Sequence, residues 1–298
     1  MFIKVALDDG LEPVAVVFIR CALAALVLIP VAIHRDALRA VRGPVAGWVV
    51  LLAFVQVVAP FLLITIGELH ISSSLAAILV SSAPIFTSLL ALRFDPAERS
   101  RGWRAVGILV GIAGVALLFG VDLTGDREEV LGGLAILLAS LGYAIGPLTS
   151  KHRIQSAGIQ PVGIVTATMI VSSVVLLPVL PFTGIATEGA PGLDAIGSLL
   201  LLGVGGTGVA FLIFYTLIAD VGPARASIVA YVAPGFSVVY GAAILDESIG
   251  VGTVAGLALI LAGSYLAAEG RLPWADRPVA PVGELDLGDV EGARNPRS

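Results

Sequence analysis

Residues 73–92 (SSLAAILVSSAPIFTSLLAL) and residues 223–242 (PARASIVAYVAPGFSVVYGA) are the two stretches of the sequence that decide the fold. Each is a mainly apolar run with a proline inside it, Pro84 in the first and Pro234 in the second. A run of about 20 apolar residues is long enough to cross a bilayer as a helix. A proline there removes a helix hydrogen bond and bends or loosens the turn before it. The sequence therefore predicts two bent membrane helices, one in each half of the chain.

The similarity between the two halves extends beyond these stretches. A shift of 150 positions places Phe61 on Phe211 as well as Pro84 on Pro234. We predict an internal duplication, with a first unit at residues 1–122 and a second at residues 123–269. Matched bent helices in two halves of a membrane chain are typical of transporters built from repeats. Shifts of 148 to 150 align the further pairs Pro13 and Pro161, Pro30 and Pro178, Gly47 and Gly197, Glu98 and Glu247, Gly107 and Gly256, and Gly114 and Gly263.

The composition places most of the chain in a membrane. Of the 298 residues, 57% are hydrophobic and only 13% are charged, whereas soluble domains carry about 25% charged residues. A water-soluble protein of this length could not bury so much apolar surface. The single cysteine, Cys21, excludes an internal disulfide framework.

Nine apolar runs are long enough to cross a bilayer as helices, and none shows the alternation typical of membrane strands. The sequence therefore predicts an all-α membrane protein with nine complete transmembrane helices. The predicted spans are residues 13–33, 45–67, 71–92, 105–121, 130–149, 160–182, 195–219, 226–245 and 249–268. After residue 269 the chain becomes rich in Pro, Gly and acidic residues, and we predict a disordered tail at residues 270–298.

Positive charge alternates along the connections between the spans. Basic residues concentrate in every second connection, and such connections stay in the cytoplasm of a membrane protein. This pattern predicts a cytoplasmic C-terminal tail and two units that cross the membrane in opposite senses. The basic residues of these connections are His34, Arg35, Arg39, Arg42, Arg93, Arg99, Arg101, Arg104, Lys151, His152, Arg153 and Arg225.

The two predicted units differ in one helix. The second unit has five spans and the first has four, because residues 131–148 have no counterpart when the units are aligned. Residues 2–7 then correspond to the last turn of a first helix that is largely missing. Two explanations are open: the start codon is misassigned and the natural protein is longer, or the protein is a nine-helix variant with its N-terminus outside.

The chain resembles the EamA family of the drug/metabolite transporter superfamily along almost its whole length. The resemblance rests on the duplicated proline helices at Pro84 and Pro234, on Arg20 within FIRCALAALVL, and on two Glu-x₈-Gly patterns that begin at Glu98 and Glu247. It implies ten helices in two inverted five-helix units. It also implies export, or sometimes uptake, of small metabolites such as amino acids through a central cavity. The largely missing first helix departs from the family pattern.

Arg20 is the main candidate for substrate binding. It lies seven residues into its predicted span, about 10 Å along the helix axis. A charge at that depth is costly and usually faces the interior of the helix bundle. We therefore predict that Arg20 binds a substrate carboxylate. The alternative is that Arg20 reaches outward to the membrane surface or pairs with a carboxylate such as Glu12.

Polar residues beside the two prolines form a second group of candidates. Proline-freed carbonyls and neighbouring hydroxyls could line a site at the interface of the units, with Pro84 and Pro234 as hinges. Packing, with hydroxyls bonded to their own helix, is the alternative for this group. For the polar residues in the middle of other spans, a hydrogen bond between helices is the alternative to substrate contact. The candidates for substrate contact are Ser82, Thr87 and Tyr231 beside the prolines, and Gln56, Tyr143 and Tyr215 elsewhere.

The sequence contains no pattern that predicts catalysis or a cofactor. No two His or Cys residues have metal-ligand spacing within a helix. Residues 203–208 (GVGGTG) fit the dinucleotide-binding pattern formally, but they lie inside an apolar run, where close helix packing or local unwinding is the better interpretation. No carboxylate lies at the centre of a span to carry protons. For Glu98 and Glu247, a favourable charge in the first turn of a helix is the simpler interpretation.

These observations predict a secondary transporter of the inner membrane that exports small metabolites such as amino acids by alternating access. The expected partners are a small-molecule substrate and the lipid bilayer, with no nucleic acid, and a homodimer is left open. One alternative is efflux of drugs or other small molecules on the same fold. Another is a membrane receptor or assembly protein that transports nothing. An intramembrane enzyme would need a cluster of reactive residues that the sequence lacks.

Overall fold

A computed structural model describes residues 1–94, 102–121, 126–186, 191–221, 226, 229–244 and 249–270. It does not describe the side chains of residues 91–94, 121, 151, 229–232 and 244. The predictions for Glu98, for Glu247 and for almost all of the tail therefore lie outside the described residues.

The described part of the chain folds into helices, most of which run from one end of the molecule to the other. The first helix, α1, is short, and most of the helices that follow it are of membrane length. The helices are α1 (Phe2–Asp8), α2 (Pro13–His34), α3 (Pro44–Gly67), α4 (Ser73–Val80), α5 (Ala83–Phe94), α6 (Gly102–Val121), α7 (Arg127–Thr149), α8 (Pro161–Thr183), α9 (Leu193–Val221), α10 (Val229–Ile244) and α11 (Val251–Glu269).

Eight of the predicted spans correspond to helices that are long and apolar enough to cross a membrane within the described residues, counting α4 and α5 as one. The ninth predicted span contains α10, of which 16 residues are described. The all-helical membrane fold is thus confirmed, whereas the number of nine spans stays a prediction. The agreement follows from length, because each uninterrupted apolar run must pair its own backbone groups as a helix inside lipid.

The two predicted proline helices differ from each other. The chain breaks at Ser81 and Ser82 between α4 and α5, and Pro84 is the second residue of α5. In α10, Pro234 lies inside a helix that continues on both sides. The break is stabilised because the Ser82 hydroxyl donates to the Leu79 carbonyl at 2.7 Å and replaces a helix bond. The two residues before Pro234 are valine and alanine, which have no hydroxyl to offer.

Two helices at corresponding positions of the two halves contain π-helical turns. In α3 the π turn covers Ala53–Val58, and in α9 it covers Leu201–Val209. Shifting the first turn by 150 positions gives residues 203–208, which lie inside the second turn. A π turn inside a long helix often marks a functional site.

Helices α6 and α11 pack closely through glycines. A methyl group on Gly263 would collide with the backbone of Gly111, and one on Gly107 would collide with the backbone of Ala267. At Gly114, the nearest atom would be the Leu259 Cβ at 2.8 Å. Small residues allow helix backbones to approach closely inside a membrane, where van der Waals contact drives association.

The molecule has one end that is mainly acidic and one that is mainly basic. At the acidic end, Leu11 forms an isolated antiparallel bridge with Ala186, and the Gly192 amide donates to the Asp9 carboxylate at 2.7 Å. The described charged side chains there include Asp8, Asp9, Glu12, Glu68, Asp126, Glu128, Glu129 and Asp194. The opposite, basic end carries His34, Arg35, Arg39, Arg42, Arg104, His152 and Arg153.

Candidate substrate-binding site

Arg20 lies inside the helix bundle. Its side chain is buried, with 6% of its surface exposed. Its Nε donates to the Thr207 hydroxyl at 3.1 Å, and its guanidinium carbon lies 3.6 Å from the centre of the Phe61 ring. Thr207 belongs to the π turn of α9, and Phe61 lies on α3 just after the other π turn. Arg20 is therefore held between helices from both halves of the chain.

The charge of Arg20 is only partly compensated by these contacts. Within the described residues, no carboxylate oxygen lies within 4 Å of its guanidinium, and Thr207 is its one hydrogen-bond partner. The structure thus shows Arg20 neither paired with Glu12 nor reaching the surface, although the Glu68 carboxylate is close enough to interact with it electrostatically. An aromatic face attracts a cation but leaves its N–H donors free. Those donors suit a planar carboxylate.

An aromatic cluster surrounds Arg20 on one side. The Phe61 and Phe211 rings meet edge to face, with centres 5.7 Å apart. The Phe211 ring stacks on Tyr215 with centres 6.3 Å apart. Phe61 and Phe211 are the pair that the 150-residue shift aligns. Residues related by the predicted duplication thus contact each other beside the buried charge.

Gln56 and Tyr215 form a buried polar pair next to this cluster. The Tyr215 hydroxyl donates to the Gln56 Oε1 at 2.6 Å, and both side chains are buried. Gln56 lies in the π turn of α3, and a side chain on Gly146 of α7 would collide with its amide group. A hydrogen bond between helices, which was the alternative to substrate contact for these residues, is what the structure shows.

Comparison with known proteins identifies the family. The model of the EamA-like transporter family matches residues 1–120 and 130–268 of the chain. The chain belongs to the EamA-like transporter family. This EamA-like protein is 28% identical over 208 residues to an uncharacterized transporter of Archaeoglobus fulgidus, covering 70% of this chain and 72% of that one. It is also 28% identical over 223 residues to the uncharacterized inner membrane transporter YedA of Escherichia coli K12, covering 74% of this chain and 70% of that one.

A solved crystal structure also shares the fold of this EamA-like protein. The two superpose with a TM-score of 0.64 at 19% sequence identity, covering 88% of this chain and 90% of the other. Together with the family, the membrane-length helices make this EamA-like chain a multi-pass membrane protein with a transporter role.

The remaining predicted site residues of this EamA-like protein are only partly brought together. Tyr143 is partly buried, packs against the hydrophobic residues around Phe61 and Ile64, and is close enough to Arg20 to interact with it electrostatically. The Thr87 hydroxyl donates to the carbonyl of Ala83 in its own helix, at 3.0 Å, as the Ser82 hydroxyl does to Leu79. The hydroxyls of Ser82 and Thr87 are thus bonded to nearby backbone carbonyls, as the packing alternative predicts. Pro84 and Pro234 are buried, and the Tyr231 side chain lies outside the described residues.

Two features of the site were not assigned a role from the sequence. The sequence marks Phe61 only as one half of an aligned pair, whereas in the structure it supplies the ring under Arg20. Thr207 lies in GVGGTG, and this segment is a π turn that approaches α2 so closely that a side chain on Gly203 would meet the Leu23 Cβ at 2.7 Å. The prediction for this segment was close helix packing or local unwinding, and the structure shows both. Among the described residues there is no cluster of metal-ligating side chains.

Replacing Tyr215 by phenylalanine should destabilise the protein. The change removes the hydroxyl and leaves the Gln56 Oε1 buried without its donor, which should lower the free energy of unfolding by about 1–3 kcal/mol. Thermal unfolding of the purified protein in detergent measures the effect. Tyr240→Phe is the matched control, because Tyr240 is 47% exposed. Equal melting temperatures for both variants would contradict the buried pair.

Proposed function

We propose that this protein exports a small metabolite with a carboxylate group, such as an amino acid, across the inner membrane by alternating access. One observation carries the proposal. Arg20 is a buried cation between the two halves of the chain, with a hydroxyl and an aromatic ring as its partners. A charge costs free energy inside a membrane protein and is retained where it has a task. A substrate carboxylate would supply a counter-charge in direct contact with Arg20, whereas Glu68 interacts with it only electrostatically.

The proposal includes two inverted units, residues 1–122 and 123–269, that rock against each other. The family model matches two segments of the chain, which supports the duplication. Helices α3 and α9 have π turns at aligned positions. Helix α2 begins at the acidic end, where Leu11 meets Ala186, whereas its aligned partner α8 begins at the basic end, next to Arg153. Such opposite directions are expected for inverted repeats.

The contacts at the acidic end support one state of an alternating-access cycle, in which that end is closed. The acidic end is closed between Leu11 and Ala186, and the Glu12 amide also donates to the Ile185 carbonyl at 3.1 Å. Because basic ends face the cytoplasm, we assign the closed end to the outside and the C-terminus to the cytoplasm. Export then requires the contacts of residues 9–12 with Ile185, Ala186 and Gly192 to separate, with Pro84 and Pro234 as the proposed hinges.

The test is transport by the Arg20→Gln variant in vesicles. A panel of amino acids first identifies a substrate of the purified, reconstituted protein. For that substrate, we expect Arg20→Gln to lower transport about tenfold to hundredfold, because a hydrogen bond to a charged partner contributes about 1.5–3 kcal/mol. The decarboxylated amine should be transported poorly by both proteins, and the variant should discriminate little between the acid and the amine.

Two controls make this result specific. Arg39→Gln removes an arginine that pairs with Asp36 on the surface, at 3.2 Å, and should leave transport unchanged. The melting temperature of Arg20→Gln shows whether the variant is folded. A folded Arg20→Gln variant with undiminished transport would remove Arg20 from the site. An equal loss for the acid and for the amine would make the role of Arg20 structural.

A further inference from the structure

A second candidate site lies at the basic end, away from Arg20. It is a half-open cavity of about 720 Å³ between α3, α5 and the end of α7. Cavities of about 300–1,000 Å³ hold ligands of drug-like size. The lining is mainly apolar and becomes basic at one edge. The lining residues are Trp48, Leu90, Ile145, Leu148, Thr149, His152 and Arg153.

The cavity lies on a face of α7 whose apolar side chains are exposed, as expected of a face in contact with lipid. Leu131, Leu134 and Leu138 are 49–57% exposed and lie on one face of this helix. Ile145 follows Leu138 by seven residues, or two helical turns, and therefore lies on the same face. On the opposite wall, Leu89 of α5 is 40% exposed beside the lining residue Leu90. A ligand can thus enter from the bilayer.

The basic edge of the cavity lies at the depth of lipid headgroups. The Arg153 guanidinium is 4.8 Å from the centre of the Trp48 ring, and tryptophan is enriched at the membrane–water interface. Within the described residues, no carboxylate lies within 4 Å of Arg153. The ring holds the cation in place while its N–H groups remain available to a phosphate. His152 adds a second basic side chain, although its Nδ1 contacts the Leu148 carbonyl at 2.9 Å.

We infer that this cavity binds an anionic phospholipid of the leaflet that faces the basic end. The headgroup phosphate lies on Arg153, and an acyl chain lies along Leu90, Ile145 and Leu148. Basic pockets between membrane helices on the cytoplasmic side are suited to anionic headgroups. An apolar wall continuous with the lipid-facing side of α7 fits an acyl chain better than it fits a polar solute. The inference concerns lipid binding and does not depend on the transported substrate.

The experiment measures lipid binding to the purified full chain in detergent. Native mass spectrometry counts bound phosphatidylglycerol, and thermal unfolding follows the stabilisation that it gives. We expect Arg153→Gln to weaken phosphatidylglycerol binding about tenfold or more, because it removes a charge-assisted hydrogen bond. Arg42→Gln is the matched control at the same end of the molecule, since Arg42 is exposed and does not line the cavity. Equal binding by the two variants would overturn the inference.

A second variant and two other ligands complete the test. Ile145→Trp keeps Arg153 but fills the cavity, and it should also reduce the binding of phosphatidylglycerol. Phosphatidylethanolamine should bind more weakly, because its headgroup has no net charge. Inorganic phosphate should give no stabilisation at the concentrations at which the lipid does. Stabilisation by phosphate alone would instead indicate a site for a soluble anion, and undiminished lipid binding by folded Ile145→Trp would exclude the cavity.

Discussion

A disulfide between cysteines at positions 11 and 186 is expected to abolish transport, and a reducing agent is expected to restore it. Leu11 and Ala186 form an antiparallel bridge at the acidic end, and directly opposed residues have Cα atoms about 4.5–5.5 Å apart. A disulfide accepts Cα separations of about 4.4–6.8 Å, so Leu11→Cys/Ala186→Cys should close readily. The crosslink would hold the acidic end shut, and alternating access requires it to open.

The single variants separate the crosslink from the substitutions themselves. Leu11 is buried, so Leu11→Cys alone reports the cost of the smaller side chain, and Ala186→Cys reports the other change. Cys21 is buried, and replacing it by alanine in all variants removes a competing thiol. Transport is measured in vesicles before oxidation, after oxidation and after reduction. Full transport by the oxidised double variant would show that this end does not open in the transport cycle.

The helices were predictable from the sequence because their signal is local and strong. An apolar run such as residues 13–33 has no alternative to a helix within lipid, and α2 covers Pro13–His34. The difference between Pro84 and Pro234 was less predictable. Both prolines lack a hydrogen-bond donor, but only Pro84 follows two serines, whose hydroxyls donate to the Ile78 and Leu79 carbonyls at the break. The effect of a proline thus depends on its neighbours as well as on its own ring.

The candidate site was predictable only where a residue contrasts with its surroundings. Arg20 and Gln56 stand out in apolar runs, and the structure buries both between helices. Phe61 does not stand out, because an aromatic residue is ordinary in a membrane helix. Its position under Arg20 depends on how α2 and α3 pack. The two π turns depend on packing in the same way, since a single extra residue in a helical turn leaves no periodic signal in an apolar sequence.

Phe61 and Phe211 occupy matching positions in the two halves of the sequence, and they contact each other beside Arg20. A shift of 150 residues aligns them, and their rings meet in the structure. Residues related by a twofold axis can touch only close to that axis. The buried charge of Arg20 lies on the Phe61 ring and is therefore close to the proposed axis between the two units. A substrate bound there would contact both units, as alternating access requires.

Replacing Gly263 by leucine should prevent the protein from folding stably. The Gly263 Cα faces the backbone of α6, and a side chain there would collide with Gly111. Overpacking in a core usually costs about 1–3 kcal/mol because neighbouring side chains adjust. Here the obstacle is backbone, so α6 and α11 would have to separate along their contact. We expect little monodisperse protein in size-exclusion chromatography of detergent extracts, and a clearly lower melting temperature for any that remains.

Gly120→Leu is the matched control for this prediction. Gly120 lies on α6, the same helix that Gly263 contacts, but nothing lies within 4 Å of the position that its Cβ would take. The two variants add the same side chain to the same helix pair, and they differ only in whether a backbone opposes it. Gly120→Leu should therefore yield as much folded protein as the unmodified chain. A normal yield of Gly263→Leu would mean that α6 and α11 are not in direct backbone contact, and would remove the packing that joins the last helix of the proposed second unit to the proposed first unit.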